Sequence, residues 1–329
     1  MSEYPHARPL EQGVEDWRQT AMIRLAGHFN SLATGTTQVP SRSIESPIRG
    51  QIADQEVVDY HDAMVAAAGP LFRHFLGSVP HVLEELARVG VALHRVAHQP
   101  GQARRFSLLE VDAFDGTCAR TLARRSGGRI RTLTTSPNVA NEPHFVRDAD
   151  PASSRFFPES IFALDETKLA ACDIAKFGDG FDWTYEMAAF QFYTRNRAAQ
   201  IAHVKRFMKP DGLAFFLEKL NQPDADEYER REQVKDQLFK SRYFTQEEIA
   251  WKRQQMLEQM ENGQVTFDVF ISALREHFEY VYLLWNSTNF YEFVASNDRE
   301  HVDRFLMALG PINQPDVFCF EASRIGQRI

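Results

Sequence analysis

The sequence predicts an α/β fold: a mostly parallel sheet covered by helices, with a helical region ahead of it and a helical insert after its fifth strand. Three observations carry this. Between residues 106 and 219, short apolar runs alternate with stretches of helical spacing, the pattern of a parallel sheet with crossover helices. Roughly a hundred residues of helical character precede the first of those runs. A strongly charged stretch with helical character, 223–262, follows the fifth.

Taken in order, residues 1–12 read as a tail. Residues 14–34 carry Val14, Trp17, Met22, Ile23 and Leu25 at helical spacing, and 35–50, rich in Thr, Ser, Pro and Gly, read as a loop. Two further helices are expected over 54–77 and 80–99, the second with Val82, Leu83, Leu86, Val89 and Leu93 near one face. Phe106–Val111 is the first buried strand, and Thr117 onward is a helix stopped by Gly127-Gly128. Strands follow at 129–137, 160–164, 181–186 and 213–217, with 138–159 read as loop, 166–176 as helical or irregular, 194–208 as helix and Lys209-Pro210-Asp211-Gly212 as a turn. In the insert, Thr245-x-x-Glu248 is a capping-box candidate and Asn262-Gly263 a helix end. Residues 266–277 form another helix, 280–285 and 290–295 a hairpin, 299–309 a last helix and 317–320 a final edge strand. The expected division is a helical region over 1–100, serving as lid, dimer surface or substrate cover, and a main domain over 101–329 with its insert at 222–278.

Composition narrows the function. The chain has 329 residues, 43% hydrophobic and 25% charged, ordinary for a globular protein, and 26 Phe supply a sizeable core. A formal net charge of −8 argues against a non-specific nucleic-acid binder, which needs a basic surface to displace counterions. Cys118, Cys172 and Cys319 lie far apart and form no disulfide framework. Without a signal-like N-terminus or an apolar run long enough to span a bilayer, a cytoplasmic protein with no membrane partner is expected.

The chemistry centres on the first strand-turn-helix. A glycine in such a turn lets backbone approach a ligand, and the helix start offers unpaired N–H groups. Glu110-x-Asp112-x-Phe114-x-Gly116 resembles the acid followed by G-x-G-x-G of class I S-adenosylmethionine-dependent methyltransferases, with Asp112 and Phe114 at two glycine positions. Phe181-Asp182 before a strand and Arg206-Phe207-Met208-Lys209-Pro210-Asp211-Gly212 are similar to that family's late motifs, so the resemblance covers about residues 104–220. It implies a seven-stranded, Rossmann-like sheet with one antiparallel strand in the closing hairpin, and S-adenosyl-L-methionine as cofactor.

The resemblance also implies roles. Glu110 would face the methionine amino group, with Asp112, Gly116 and Thr117 shaping the turn. Thr134 and Thr135 stand where an acid usually grips the ribose, a replacement similar to that in the cyclopropane-synthase-like branch. Asp165 would accept from the adenine amino group, and Tyr185 lies on the same rim. On the acceptor side Glu186 is the leading base, with Tyr193 as second choice, and Tyr60, His61 and Trp285 are substrate candidates. Each has a plainer reading: Gly116 as a turn glycine, Asp112 and Asp165 as helix caps, Thr134–Ser136 as ordinary strand residues, Glu186 as a strand-end acid. His94 and His98 share a helix face, read as solvated rather than metal-ligating, and Trp285 with Phe290–Phe293 reads as hairpin core rather than a cation cage. The expected activity is methyl transfer to a small-molecule acceptor, amino-acid-like or a specialised metabolite, at sulfur, nitrogen or oxygen, in a monomer or homodimer. Two alternatives stand beside it: a non-catalytic relative acting as a partner subunit, and an α/β enzyme for another nucleotide such as NAD, against which the missing G-x-G-x-x-G counts.

Overall fold

A computed structural model describes residues 14–37, 40, 43–172, 177, 180–254 and 263–329. The tail over 1–12, Asn262, and parts of the 35–50 loop, the 166–176 stretch and the insert lie outside the described residues.

Seven strands form one sheet in the order β3-β2-β1-β4-β5-β7-β6. They are β1 (Phe106–Val111), β2 (Ile130–Thr135), β3 (Ser154–Phe157), β4 (Phe181–Met187), β5 (Met208–Lys219), β6 (Tyr280–Ser287) and β7 (Phe290–Ser296). The first five are parallel, while β7 runs antiparallel to both β5 and β6. This is the mostly parallel seven-stranded sheet with a closing hairpin that the sequence implies. Thr288 takes φ of 56° in the hairpin turn.

The described α-helices are α1 (Ala21–Arg24), α2 (Ala26–Ala33), α3 (Gln55–Ala67), α4 (Pro70–Leu76), α5 (Val82–Ala97), α6 (Thr117–Arg125), α7 (Glu142–Asp148), α8 (Glu166–Ala171), α9 (Arg197–Lys205), α10 (Ala225–Leu238), α11 (Gln246–Lys252), α12 (Phe267–Arg275) and α13 (Arg299–Ala308). Strand alternation divides them into two layers. Phe215 and Leu217 of β5 face one core with Leu86, Leu93 and Phe305, whereas Ala214 and Phe216 face the other with Ile201, Val204 and Phe270. So α3 and α5 are one covering layer of the sheet itself, not an appendage in front of it.

Four expectations are corrected. Residues 160–164 are not a strand, because Ser160 caps a 3-10 turn over Ile161–Ala163 and the Ile161 N–H goes to Asp112. The third strand lies earlier, at β3, and the 138–159 stretch also holds α7, with proline in its first turn. The Lys209–Gly212 segment belongs to β5, where the register against β4 slips between Phe181 and Trp183. Val317–Phe320 is no edge strand, since Asp316–Phe318 is a 3-10 turn. The Thr245–Glu248 capping box forms as its spacing predicts.

Candidate active site at the carboxyl rim of the sheet

At the carboxyl ends of β1, β2, β4 and β5 the structure opens a cleft of about 1080 Å³, part of it solvent-exposed. It lies in the place where open α/β sheets bind their ligands. Three parts of the chain wall it. The N-terminal helices contribute Met22, Phe29, Leu71 and Phe75; the sheet rim contributes Asp112, Phe114, Ser136–Asn138 and Met187–Ala189; the insert contributes Glu232, Lys235, Lys240 and Lys252.

The floor is unusual in its backbone. Asp112, Phe114 and Gly116 have φ of 48°, 54° and 66°, and Ala188, just past β4, has 58°. Left-handed backbone costs a side-chain-bearing residue about 1–2 kcal/mol, and such outliers gather where function constrains the chain. Asp112 and Phe114 thus keep the conformation that glycine adopts freely, at the two positions where the resemblance places glycines. Gly116 has a second constraint: a Cβ there would lie 2.6 Å from Thr134 Oγ1 and 3.0 Å from Phe145 Cδ2.

Asp112 borders the cleft, and its carboxylate knits the rim together. Oδ1 accepts from Thr135 Oγ1 at 2.8 Å and from Ile161 N at 2.8 Å; Oδ2 accepts from Ser160 Oγ at 3.2 Å and from the Tyr193 hydroxyl. Burial pushes its carboxyl above the ordinary range despite those hydrogen bonds. Thr135 and Tyr193 therefore serve Asp112 and are not among the cleft-lining residues.

Glu110 turns away from the cleft, under α6. Its carboxyl accepts from Ala119 N at 3.1 Å and from Thr134 Oγ1 at 3.1 Å, capping the first turn of α6 that Gly116 has no side chain to cap. Burial pushes it up to about 8. Thr117 binds Asp115, whose carboxylate also takes Gly69 N and Arg120. Asp165 is exposed and N-caps α8 through Lys168 N at 2.8 Å. Tyr185 is buried with its hydroxyl on Glu292.

Glu186 lies just below the floor. Its Oε1 accepts from Ala189 N and from Phe190 N at 3.0 Å, which fixes the turn bearing left-handed Ala188. Burial and the neighbouring Glu218 hold its carboxyl well above the usual range. Glu218 in turn meets the Arg197 guanidinium at 2.9 Å, both fully buried. Tyr60 is wedged against Gly90 and donates to Cys118 O at 3.2 Å; His61 pairs with Asp62; Trp285 is fully buried in the sheet core. None of these three borders the cleft. His94 and His98 stack at 4.2 Å, and among the described residues no group of three or more metal-ligating side chains is found.

Several residues that sequence reasoning passed over line the cleft instead. Asn138 and Gln191 offer Nδ2 and Oε1 with no hydrogen-bond partner among the described residues. Ser136 and Asn141 flank them, linked at 3.2 Å. The Ser136-Pro137 strand end was the one signal for this group. Lys219, Lys235, Lys240, Lys252 and Arg253 also line the cleft, scattered over more than thirty residues of sequence and brought together only by folding. No helix among the described residues is long and apolar enough to cross a membrane.

No family model matches this sequence, and no curated protein matches it. Several solved structures are similar in architecture. The plantazolicin methyltransferase BpumL in complex with SAH aligns over 84% of this chain and 97% of its own, at 9% identity and a TM-score of 0.45. The mycolic acid cyclopropane synthase CmaA1, complexed with SAH and CTAB, aligns over 83% and 78%, at 12% identity and a TM-score of 0.42. A putative O-methyltransferase from Nostoc punctiforme aligns over 86% and 70%, at 13% identity and a TM-score of 0.40.

Proposed function

We propose that this protein binds S-adenosyl-L-methionine at the carboxyl rim of its sheet and transfers the methyl group to a small-molecule acceptor. The observation that carries the reading is the backbone of the β1–α6 turn. Asp112, Phe114 and Gly116 all hold left-handed φ, as a glycine-rich cofactor turn would, although two of the three are not glycine. The fold has kept the strained path at a cost, and a cleft lies directly on it.

The residues present fit the group. The unpartnered Asn138 Nδ2 and Gln191 Oε1, with Ser136 beside them, suit the heteroatoms of an adenosine, and Phe114 and Met187 suit its apolar faces. S-adenosylmethionine supplies a methyl on a sulfonium, which an acceptor lone pair takes by in-line displacement. The chain's task is then to align two reactants and keep water out. The Asp112 network fixes the turn, Glu186 fixes the Ala188–Gln191 segment, and the N-terminal helices and the insert cover the cleft from either side. Glu186 acts in this reading as a positioning residue, since its Oε1 holds two backbone amides of the turn.

The test is calorimetric titration of the purified chain with S-adenosylmethionine, S-adenosylhomocysteine and NAD. Micromolar binding of the first two, and none of NAD, is expected. A folded sample that binds neither sulfur ligand overturns the reading, and one that prefers NAD replaces it with another nucleotide chemistry.

A further inference from the structure

The insert puts an imbalance of charge on one wall of the cleft. Lys219 at the end of β5 and Lys235 on α10 share the single carboxylate of Glu232, Lys219 at 3.0 Å. Lys240 meets Asp236 at 3.0 Å, and Asp236 also takes Arg253 at 2.7 Å, while Glu229 takes Arg253 from the other side at 3.0 Å. Lys252 belongs to the same wall. Its Nζ has no hydrogen-bond partner among the described residues and stands 2.9 Å from the centre of the Phe244 ring, with the residue only 6% exposed.

Among the described residues, four buried lysines therefore face two carboxylates, Glu232 and Asp236, on the wall of one cleft. Among the described residues, the remaining neighbours do not close the gap. Glu248 is half-buried, engaged in the capping box of α11 and close enough to favour the Lys252 charge, while burial lowers His74 and His28 below the ordinary imidazole range. Burying surplus ammonium groups is costly unless an anion pairs with them. A sulfonium bound across the cleft would add one more positive charge.

We propose that this lysine wall, with Lys252 at its centre, seats an anionic group of the acceptor, a carboxylate or a phosphoryl group, whose apolar body lies against Phe75, Val79 and Phe290. The inference rests on the methyl-transfer reading for the word acceptor, and on the lysines alone for the anion. Its physical consequence is measurable. Burial and the nearby Lys240 push Lys252 down to about 6, and burial pushes Lys240 down to about 8. An anion beside them restores the charged form, so binding draws protons from solvent near neutral pH.

The experiment titrates the full chain with four probes of one shape: benzoate, phenylphosphonate, benzamide and benzylamine. Each is run with and without S-adenosylhomocysteine, in two buffers of different ionisation heat. An acid should bind at least about tenfold tighter than the amide or the amine, with proton uptake, and Lys252→Met should weaken it about tenfold or more. The stronger of the two acids identifies carboxylate or phosphoryl chemistry. Thermal denaturation shows that Lys252→Met is folded, and Lys240→Met gives a second, independent loss. Equal binding of acid and amide, or acid binding unchanged in both folded variants, overturns the proposal. Acid binding without any S-adenosylhomocysteine binding keeps the anion seat and removes the methyl-transfer reading; the reverse pattern removes the seat alone.

Discussion

Replacing Glu110 with glutamine tests what the acid of the β1–α6 turn does. In the structure its two oxygens meet Ala119 N and Thr134 Oγ1, both at 3.1 Å, and the residue is 1% exposed. Burial raises its carboxyl from 4.5 to about 8. A group raised on folding contributes its full stability below the unfolded value and loses it as pH climbs through the folded one. Between those limits the native state holds a proton that the unfolded chain has lost, so stability falls by about 1.4 kcal/mol per pH unit. Glutamine copies the protonated acid: Oε1 accepts from Ala119 N, and Nε2 donates to Thr134 Oγ1, whose hydroxyl turns to accept. Glu110→Gln has no such slope. From about pH 5.5 to about pH 7, the variant should gain about 2 kcal/mol relative to the parent. Urea denaturation of both proteins at the two pH values reads this directly, and every other titrating group cancels in the difference. Parallel stability profiles would refute the buried, protonated cap. Loss of S-adenosylhomocysteine binding in a folded variant would return Glu110 to the role of cofactor ligand.

Three further outcomes follow from neighbouring contacts. Gly116→Ala, with its new Cβ 2.6 Å from Thr134 Oγ1 and its φ of 66°, should cost about 2–4 kcal/mol, read as a lowered Tm. Asp112→Gly relieves about 1–2 kcal/mol of backbone strain but strips the acceptor from Thr135, Ser160, Tyr193 and Ile161 N. A net loss of about 3 kcal/mol in chemical denaturation is expected; a gain in stability would mean that the carboxylate network is idle. Arg197→Met leaves buried Glu218 without its cation and Gly263 O without its donor, and should destabilise by about 3–5 kcal/mol at neutral pH.

The sheet was legible because its signal is local. Buried parallel strands such as Phe106–Val111 and Leu213–Leu217 are short apolar runs between turns, and β7 alternates between two cores. The third strand was misplaced because Ser154–Phe157 is only four residues long, while Ile161–Leu164 is the more apolar run. Nothing short-range says that Ile161 N will be claimed by a carboxylate 49 positions earlier. The site was legible as a rim and illegible as a set of side chains. Position on the rim follows from strand ends, and Asp112 and Ser136, just past two of them, line the cleft. Direction does not: Glu110, two residues before Asp112, points beneath the helix, and Tyr60 and Trp285 are absorbed into the core. The lysine wall was hidden because a charged insert reads as solvated helix until folding turns Lys235, Lys240 and Lys252 inward.

The central claim is that the cleft over the Asp112–Gly116 turn holds S-adenosylmethionine. Its most direct measurement is a crystal structure of the chain grown with S-adenosylhomocysteine. The ligand is expected along the Asp112–Phe114 backbone, with its adenosine toward Ser136, Asn138 and Gln191. Ligand density elsewhere, or an empty cleft under saturating ligand, would contradict it.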